Sequence, residues 1–372
     1  MSASSAAASF ASVALRGGAR MPSVGLGCWK IPKAACADAV FSALAQGYRH
    51  LDCAADYGNE KEVGAGIRRA LEGGVLKREE LWVTSKIWMT YHAKEHVEAA
   101  LSRTLADLGL EYLDLWLIHF PISLKFVPFE TRYPPEWVHD PAAAKPCMVY
   151  DNVPLIETFR AMRSLAPARV RHAGVCNMVS FVSRTVPLRV LASPSCPHQP
   201  NFPNPTNPLR PQTTGLLADL LRACAREGIE GPEVLQVESH PYLVQEKLMR
   251  FCAAQGIAVT AFSPLGAASY VELSMATAAD SALVDPAVAA VASRLGVTPA
   301  QAVLGWHLRR GISAVPKSSK PERLAENLAA VAAAAKLTDE DVRAISALDK
   351  HRRFNDPGVF TQGMNSFAPI FD

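Results

Sequence analysis

The sequence predicts an α/β fold in which eight parallel strands close into a (β/α)8 TIM barrel with long loops on its C-terminal face. Short β-branched or apolar runs alternate with longer amphipathic runs from Ser23 onward, and eight such pairs can be counted. Polar residues gather where the apolar runs end, which is where a barrel of this kind carries its chemistry.

Strands are expected at 23–27, 50–54, 81–86, 113–119, 169–176, 234–238, 258–263 and 313–318, with helices between them. Asn59 ahead of Glu60 and Glu62 reads as a helix start, as do Thr298-Pro299 and Pro321-Glu322, the last pair opening the final helix. Each puts a capping side chain or a proline at a first turn. Two segments break the rhythm. Residues 126–151 follow the fourth strand and hold Pro128, Pro134, Pro135, Pro141 and Pro146, so a long loop is expected to wall a pocket on the catalytic face. Residues 180–211 hold eight prolines with few aromatic or acidic residues, and read as a disordered insertion. That insertion can be a lid, a tolerated loop or translated non-coding sequence.

At 372 residues, 49% hydrophobic, the chain can bury a large core, and a net charge of +3 is too small for nucleic acid to be the main partner. No apolar run reaches the roughly 18 residues of a membrane span, so no membrane association is expected. The cysteines (Cys28, Cys36, Cys53, Cys147, Cys176, Cys196, Cys224, Cys252) form no C-x-x-C pair and sit mostly in apolar runs. Reduced thiols in a cytoplasmic setting are expected, rather than disulfides or zinc ligands. Residues 1–12 read as a disordered tail, which leaves 13–372 as a single barrel domain interrupted at about 180–211.

Asp52 and Tyr57 lie at or just beyond the end of the second strand, Lys86 ends the third and His119 the fourth, so adjacent strand ends bring the four together. A tyrosine with its usual pKa of about 10 is a poor proton donor at neutral pH unless a cation lowers it. Lys86 is expected to supply that cation, held in place by Asp52. His119 can then hydrogen-bond a carbonyl oxygen while Tyr57 protonates it, which suits addition of a hydride to the carbonyl carbon. A metal-dependent barrel hydrolase would instead need His and carboxylate clusters at several strand ends, and only His119 ends a strand, so no metal is expected.

Each of these residues alone is more often structural than catalytic, but their surroundings are specific. His50-Leu-Asp-Cys-Ala-Ala-Asp-Tyr-Gly-Asn-Glu60, Val83-Thr-Ser-Lys86 and Leu113-Asp-Leu-Trp-Leu-Ile-His-Phe-Pro121 resemble three signature stretches of the aldo-keto reductases. The resemblance runs from about Val13 to the end of the chain, except for the proline-rich stretch. It looks closest to the xylose reductase (aldose reductase) branch, with plant aldose-6-phosphate reductases also similar. Residues 21–30, 126–129, 235–242 and 353–357 carry that closer likeness.

The resemblance implies a catalytic tetrad of Asp52, Tyr57, Lys86 and His119, and NADPH laid in extended form across the barrel mouth. Gly25-Leu-Gly27 runs on to Lys30 without a third glycine, in keeping with a site that has no dinucleotide-fold loop. By resemblance Asn177 and Gln236 meet the nicotinamide amide. Cys176 stands beside them where the family usually has Ser, and Phe262 stacks on the ring. Ser263 and Leu265 fall at the pyrophosphate, Lys317, Ser318 and Arg323 at the 2′-phosphate, and Glu326 and Asn327 at the adenine. Two fixed cations favour NADPH over NADH, while Ser319 replaces an Asn common in dual-cofactor relatives and leaves NADH use open.

Trp29, Asp56, Phe120 and Asn355 fall on substrate-pocket positions, a mixture that suits a polyhydroxy aldehyde. The expected activity is reduction of the open-chain aldehyde of a xylose-like aldose to the alditol, by a monomer or homodimer. The competing expectation is a non-catalytic, NADPH-binding regulatory protein, should the insertion block the site.

Overall fold

The computed structural model describes residues 11–178, 216–368, 370 and 371; the expected insertion at 180–211 and tail residues up to Phe10 lie outside them. Eight parallel strands follow one another in a single sheet: β1 (Leu26–Gly27), β2 (His50–Asp52), β3 (Trp82–Ile87), β4 (Leu113–Ile118), β5 (Val170–Cys176), β6 (Val234–Glu238), β7 (Ala258–Phe262) and β8 (Ile312–Ala314). Each pairs with the next in the chain, for example Asp52 with Thr84, Lys86 with Leu117 and Glu238 with Phe262. The sheet closes on itself. Ala314 donates its N–H to Ser23 O at 2.7 Å, Gly25 donates to Ala314 O at 2.9 Å, and Val24 bridges Ala314. The fold is therefore the (β/α)8 barrel that the alternating pattern implies.

Several strands stop earlier than expected. β8 ends at Ala314 instead of 318, since Pro316 has no N–H to give a ladder and 316–320 crosses the mouth of the barrel. β2 ends at Asp52 and β7 at Phe262, so the polar residues beyond them stand on loops.

Helices α1 (Lys33–Ala45), α2 (Glu60–Glu72), α3 (Lys94–Leu108), α4 (Leu155–Ser164), α5 (Leu216–Glu227), α6 (Glu246–Ala254), α7 (Pro286–Leu295), α8 (Pro299–Arg309) and α9 (Pro321–Leu328) follow in chain order. Thr298 caps α8 as expected, its hydroxyl accepting Gln301 N–H while Gln301 accepts back from Thr298 N–H. Asn59 does not cap α2; its amide donates instead to Cys28 O and Ile31 O, tying α2 to the loop after β1. Nor is α9 the last helix, for Ala330–Lys336 and Asp339–Ser346 come after it. The core lies between sheet and helices, where α1 and α2 approach so closely that a Cβ on Gly66 would meet Ala37 O at 2.7 Å.

A hairpin of Ser12–Ala14 and Arg20–Pro22 closes the N-terminal end, with Leu15 and Met21 packed on Trp82, Leu115 and Val234. Ser12 thus already belongs to the ordered fold. At the other end, the loop after β4 is held at its base by Ser123–Leu124 pairing with Tyr150–Asp151. It sends Trp137 down against Phe120 and Trp88, ring centroids 4.9 and 5.2 Å away. Cys28, Cys36, Cys53, Cys176, Cys224 and Cys252 are free and buried, whereas Cys147 is disulfide-bonded, against the expectation of reduced thiols throughout. Among the described residues no single helix is long and apolar enough to cross a membrane.

Candidate active site

Strand register decides what meets at the open end of the barrel. Lys86 is fully buried on β3, beside Asp52 at the end of β2. Its Nζ donates to Asp52 Oδ2 at 2.9 Å and Oδ1 at 3.0 Å, to Cys53 O at 2.8 Å and to the Tyr57 hydroxyl at 3.1 Å. Burial opposes the charge on Lys86, but the Asp52 carboxylate outweighs it and the ammonium is held more firmly than usual. Gln236 on β6 donates to Asp52 Oδ1 at 2.7 Å and fixes the carboxylate from its other side.

The Tyr57 phenol departs from expectation. Burial, then the charges of Asp52 and Asp56, push its pKa well above the usual value. The consequence is a phenol that keeps its proton at neutral pH.

His119, one residue past β4, turns its ring edge-on to Tyr57 with centroids 5.9 Å apart. Its Nδ1 lies 3.1 Å from Asp56 Oδ1 but out of line for a hydrogen bond, and both atoms are buried with no hydrogen-bond partner. Asn177 donates to His119 O at 2.9 Å and to Cys176 Sγ at 3.2 Å, while its own Oδ1 is buried and unpaired. Cys176 reaches Gln236 Oε1 at 3.8 Å, a weak thiol contact, and burial pushes the thiol upward.

These groups open into one cavity of about 930 Å³. Its walls include every site residue singled out from the sequence except Lys86, which stands behind Tyr57. Trp29, Asp56, Phe120, Asn355, Phe262, Ser263 and Leu265 line it, as do Lys317, Ser318, Arg323, Glu326 and Asn327 from the loop after β8 and from α9. Lys30, Asn177 and Ser263, all on this cavity, have positive φ of 60°, 58° and 46°. Such backbone costs about 1–3 kcal/mol per residue and concentrates at functional sites.

The α9 side of the cavity suits an anion. α9 begins there with Pro321, and Lys317, Lys320 and Arg323 are exposed around its first turn. The cavity therefore offers a cationic helix start, a half-buried aromatic face at Phe262 and an orphaned buried amide oxygen on Asn177, which together fit an extended dinucleotide carrying an extra phosphate. Among the described residues no group of three or more His, Cys, Asp and Glu is arranged to hold a metal ion.

Sequence reasoning missed some of the wall. Trp137 and Phe360, their rings 5.1 Å apart, line the cavity, as does Met364. Trp137 could have been flagged from its place in the long loop after β4. Lys30 pairs with Glu272 and so straps the loop 263–285 over the cavity, a link that nothing in the sequence spacing announces.

A profile described as the aldo/keto reductase family matches residues 17–183 and 215–350, leaving unmatched the proline-rich stretch between them. An NADPH-dependent D-xylose reductase of Meyerozyma guilliermondii is 41% identical over 93% of this chain and 96% of its own. An NADPH-dependent aldose reductase of Saccharomyces cerevisiae is 38% identical over 94% and 97%. The solved structure of a Bombyx mori aldo-keto reductase in complex with NADP superposes with a TM-score of 0.70 at 29% identity, over 93% of this chain and 94% of that one.

Proposed function

The chain belongs to the aldo/keto reductase family, and from that premise we propose that it reduces the open-chain aldehyde of a xylose-like aldose to the alditol with NADPH. The observation that carries the reading is the single ammonium of Lys86 bridging Asp52 at 2.9 Å and the Tyr57 hydroxyl at 3.1 Å inside the cavity.

Asp52, Tyr57, Lys86 and His119 are assigned as the catalytic set. NADPH, when bound, supplies a hydride to the carbonyl carbon. Asn177, Gln236 and Cys176 would hold its amide end, Phe262 its ring, Ser263 and Leu265 its pyrophosphate, and Lys317, Ser318, Arg323, Glu326 and Asn327 its adenosine phosphate. As negative charge builds on the carbonyl oxygen, Tyr57 gives up its proton to it. The phenolate so formed lies against Lys86 Nζ, whose hydrogen bond strengthens as the charge appears; that is stabilisation made only in the transition state. His119, edge-on to Tyr57 and on the cavity wall with Nδ1 towards Asp56, aims the carbonyl oxygen. Asp56 and Asn355, on the cavity wall, would meet sugar hydroxyls, with Trp29 and Phe120 packing on the carbon chain.

Six of the seven cysteines among the described residues are free thiols, Cys147 being the exception, and with the use of NADPH this suits a cytoplasmic setting. The test is NADPH consumption by the purified full-length chain with xylose. Turnover that depends on Tyr57 supports the reading. NADPH binding without turnover of any aldehyde would replace it with a non-catalytic, cofactor-sensing role.

A further inference from the structure

Glu238 ends β6 with its side chain fully buried, yet its carboxylate holds backbone more than a hundred residues further along the chain. Oε1 accepts the N–H of Phe354 and Oε2 that of Asn355, each at 2.9 Å. Oε1 also lies 3.0 Å from His240 Nε2, which is therefore the donor nitrogen of that ring, and Arg353 Nη1 stands 3.9 Å from Oε2. The groups so held lead to the cavity. Asn355 lines it, and Phe354 stacks on Tyr270 of the loop 263–285, with centroids 5.6 Å apart and planes 17° apart. The His240 ring lies against Gly266 of the same loop, where a Cβ would come 3.5 Å from its Cγ.

The partners explain why a carboxylate stands there. Phe354 N–H, Asn355 N–H and His240 Nε2 are all donors, and a carboxylate offers only acceptors. An amide of the same shape would keep its oxygen for the two donors at Oε1 and turn its NH₂ onto the N–H of Asn355. Donor would then meet donor at the one residue of the three that lines the cavity. With the carboxylate in place, any shift of 354–355 leaves a buried charge short of a partner, which is unfavourable enough to hold that backbone in one position.

We propose that Glu238 is a positioning residue for substrate selection: by anchoring the Asn355 backbone it fixes the place of Asn355 on the cavity wall, and so favours hydroxylated over plain aldehydes through KM more than through kcat. The inference rests on reading the cavity as the site of an NADPH-dependent aldose reductase. Glu238 itself does not line the cavity, so it acts through the residue it holds.

Glu238→Gln is compared with Asn355→Ala, with the double variant, and with Glu238→Asp, which keeps the charge but withdraws it by one methylene. The readouts are KM and kcat for xylose and for butanal, which has no hydroxyl groups, and backbone hydrogen exchange in peptides spanning 354–355. Glu238→Gln is expected to raise KM for xylose roughly three- to tenfold, the size of one hydrogen bond, and to speed exchange at 354–355, with KM for butanal and both kcat values changed less than about twofold. Glu238→Asp is expected to move both readouts in the same direction, and carries the test if the Gln variant does not fold. The double variant is expected to be no worse for xylose than Asn355→Ala alone. Equal rises for xylose and butanal, additive effects in the double variant, or an unchanged KM for xylose in folded Glu238→Gln would overturn the proposal. If the unaltered protein reduces neither aldehyde, the functional reading has failed, and the selectivity with it; exchange at 354–355 then decides separately whether Glu238 anchors that backbone, and an unchanged rate in the variants would dismiss it.

Discussion

Lys86 Nζ stands 3.1 Å from the Tyr57 hydroxyl oxygen, close enough to stabilise a phenolate, while burial and then the charges of Asp52 and Asp56 hold the resting phenol above its usual range. The phenol therefore begins each turnover protonated. Tyr57→Phe is expected to lower kcat about 10²- to 10⁴-fold, the usual contribution of a positioned general acid, while NADPH binds unchanged in fluorescence titration. A loss smaller than tenfold would remove Tyr57 from the role of donor.

Lys86→Met leaves Asp52 ionised and buried with Gln236 as its main side-chain partner. Removing one member of such a pair costs about 3–5 kcal/mol. Urea unfolding should show that loss. Adding Asp52→Asn should restore part of the stability without restoring turnover, because the charge is then gone from both partners.

Glu60 provides the pH dependence. It is buried at the start of α2, accepting from Ser85 Oγ at 2.6 Å, with Thr104 and Tyr133 hydroxyls at 3.3 and 3.4 Å. Burial above all, with Asp107 adding, pushes its carboxyl up to about 7. A raised carboxyl binds its proton more tightly folded than unfolded. Its stabilising contribution is full below the unfolded value near 4.5 and is lost as pH rises through about 7, roughly 3 kcal/mol in all. Unfolding of Glu60→Gln measured from pH 4 to 8 should lack that slope; an unchanged slope would place the titration elsewhere.

Arg323→Ala is expected to weaken NADPH roughly tenfold or more and to leave NADH nearly unaffected, since a guanidinium beside a phosphate is worth about 1.5–3 kcal/mol. Parallel titrations with the two nucleotides check this. Equal losses for both would move Arg323 away from the extra phosphate.

Gly27 sits where β1 meets the loop after β8, and a Cβ there would lie 2.7 Å from Val315 O, a backbone atom that cannot step aside. Gly27→Ala should cost about 1–3 kcal/mol in urea unfolding and loosen cofactor binding, because the loop 315–318 continues into the cationic end of the cavity. Unchanged stability would mean that the seam opens more easily than its hydrogen bonds imply.

Much of this was legible beforehand. Parallel strands repeat so regularly that the barrel follows from alternation, and strand order alone brings the polar ends of β2, β3 and β4 side by side. What stayed hidden depends on three-dimensional surroundings. Lys86 beside Tyr57, taken as a pair, suggests a lowered phenol; burial and a second carboxylate, Asp56, reverse the sign. The bond from Gln236 to Asp52 spans 184 positions and has no local signal. Asn59 has the residue type of a cap, but two carbonyls after β1 compete for its amide and win. Proline marked the end of β8 only once its missing donor was set against the neighbouring ladder.

The seam between Ser23 and Ala314 also sets a timetable for synthesis. β1 emerges from the ribosome about 285 residues before β8, which at 5–20 residues per second is a wait of roughly 15–60 s. During that interval β1 has β2 on one side and an open edge on the other, exposed to any strand that passes. Trp29 and Asn355, which share one cavity, are made at opposite ends of this period. The cavity's lining is therefore complete only after both have been made, and the nascent barrel cannot draw on the finished site before then. Its protection until release falls to chaperones or to the speed of closure.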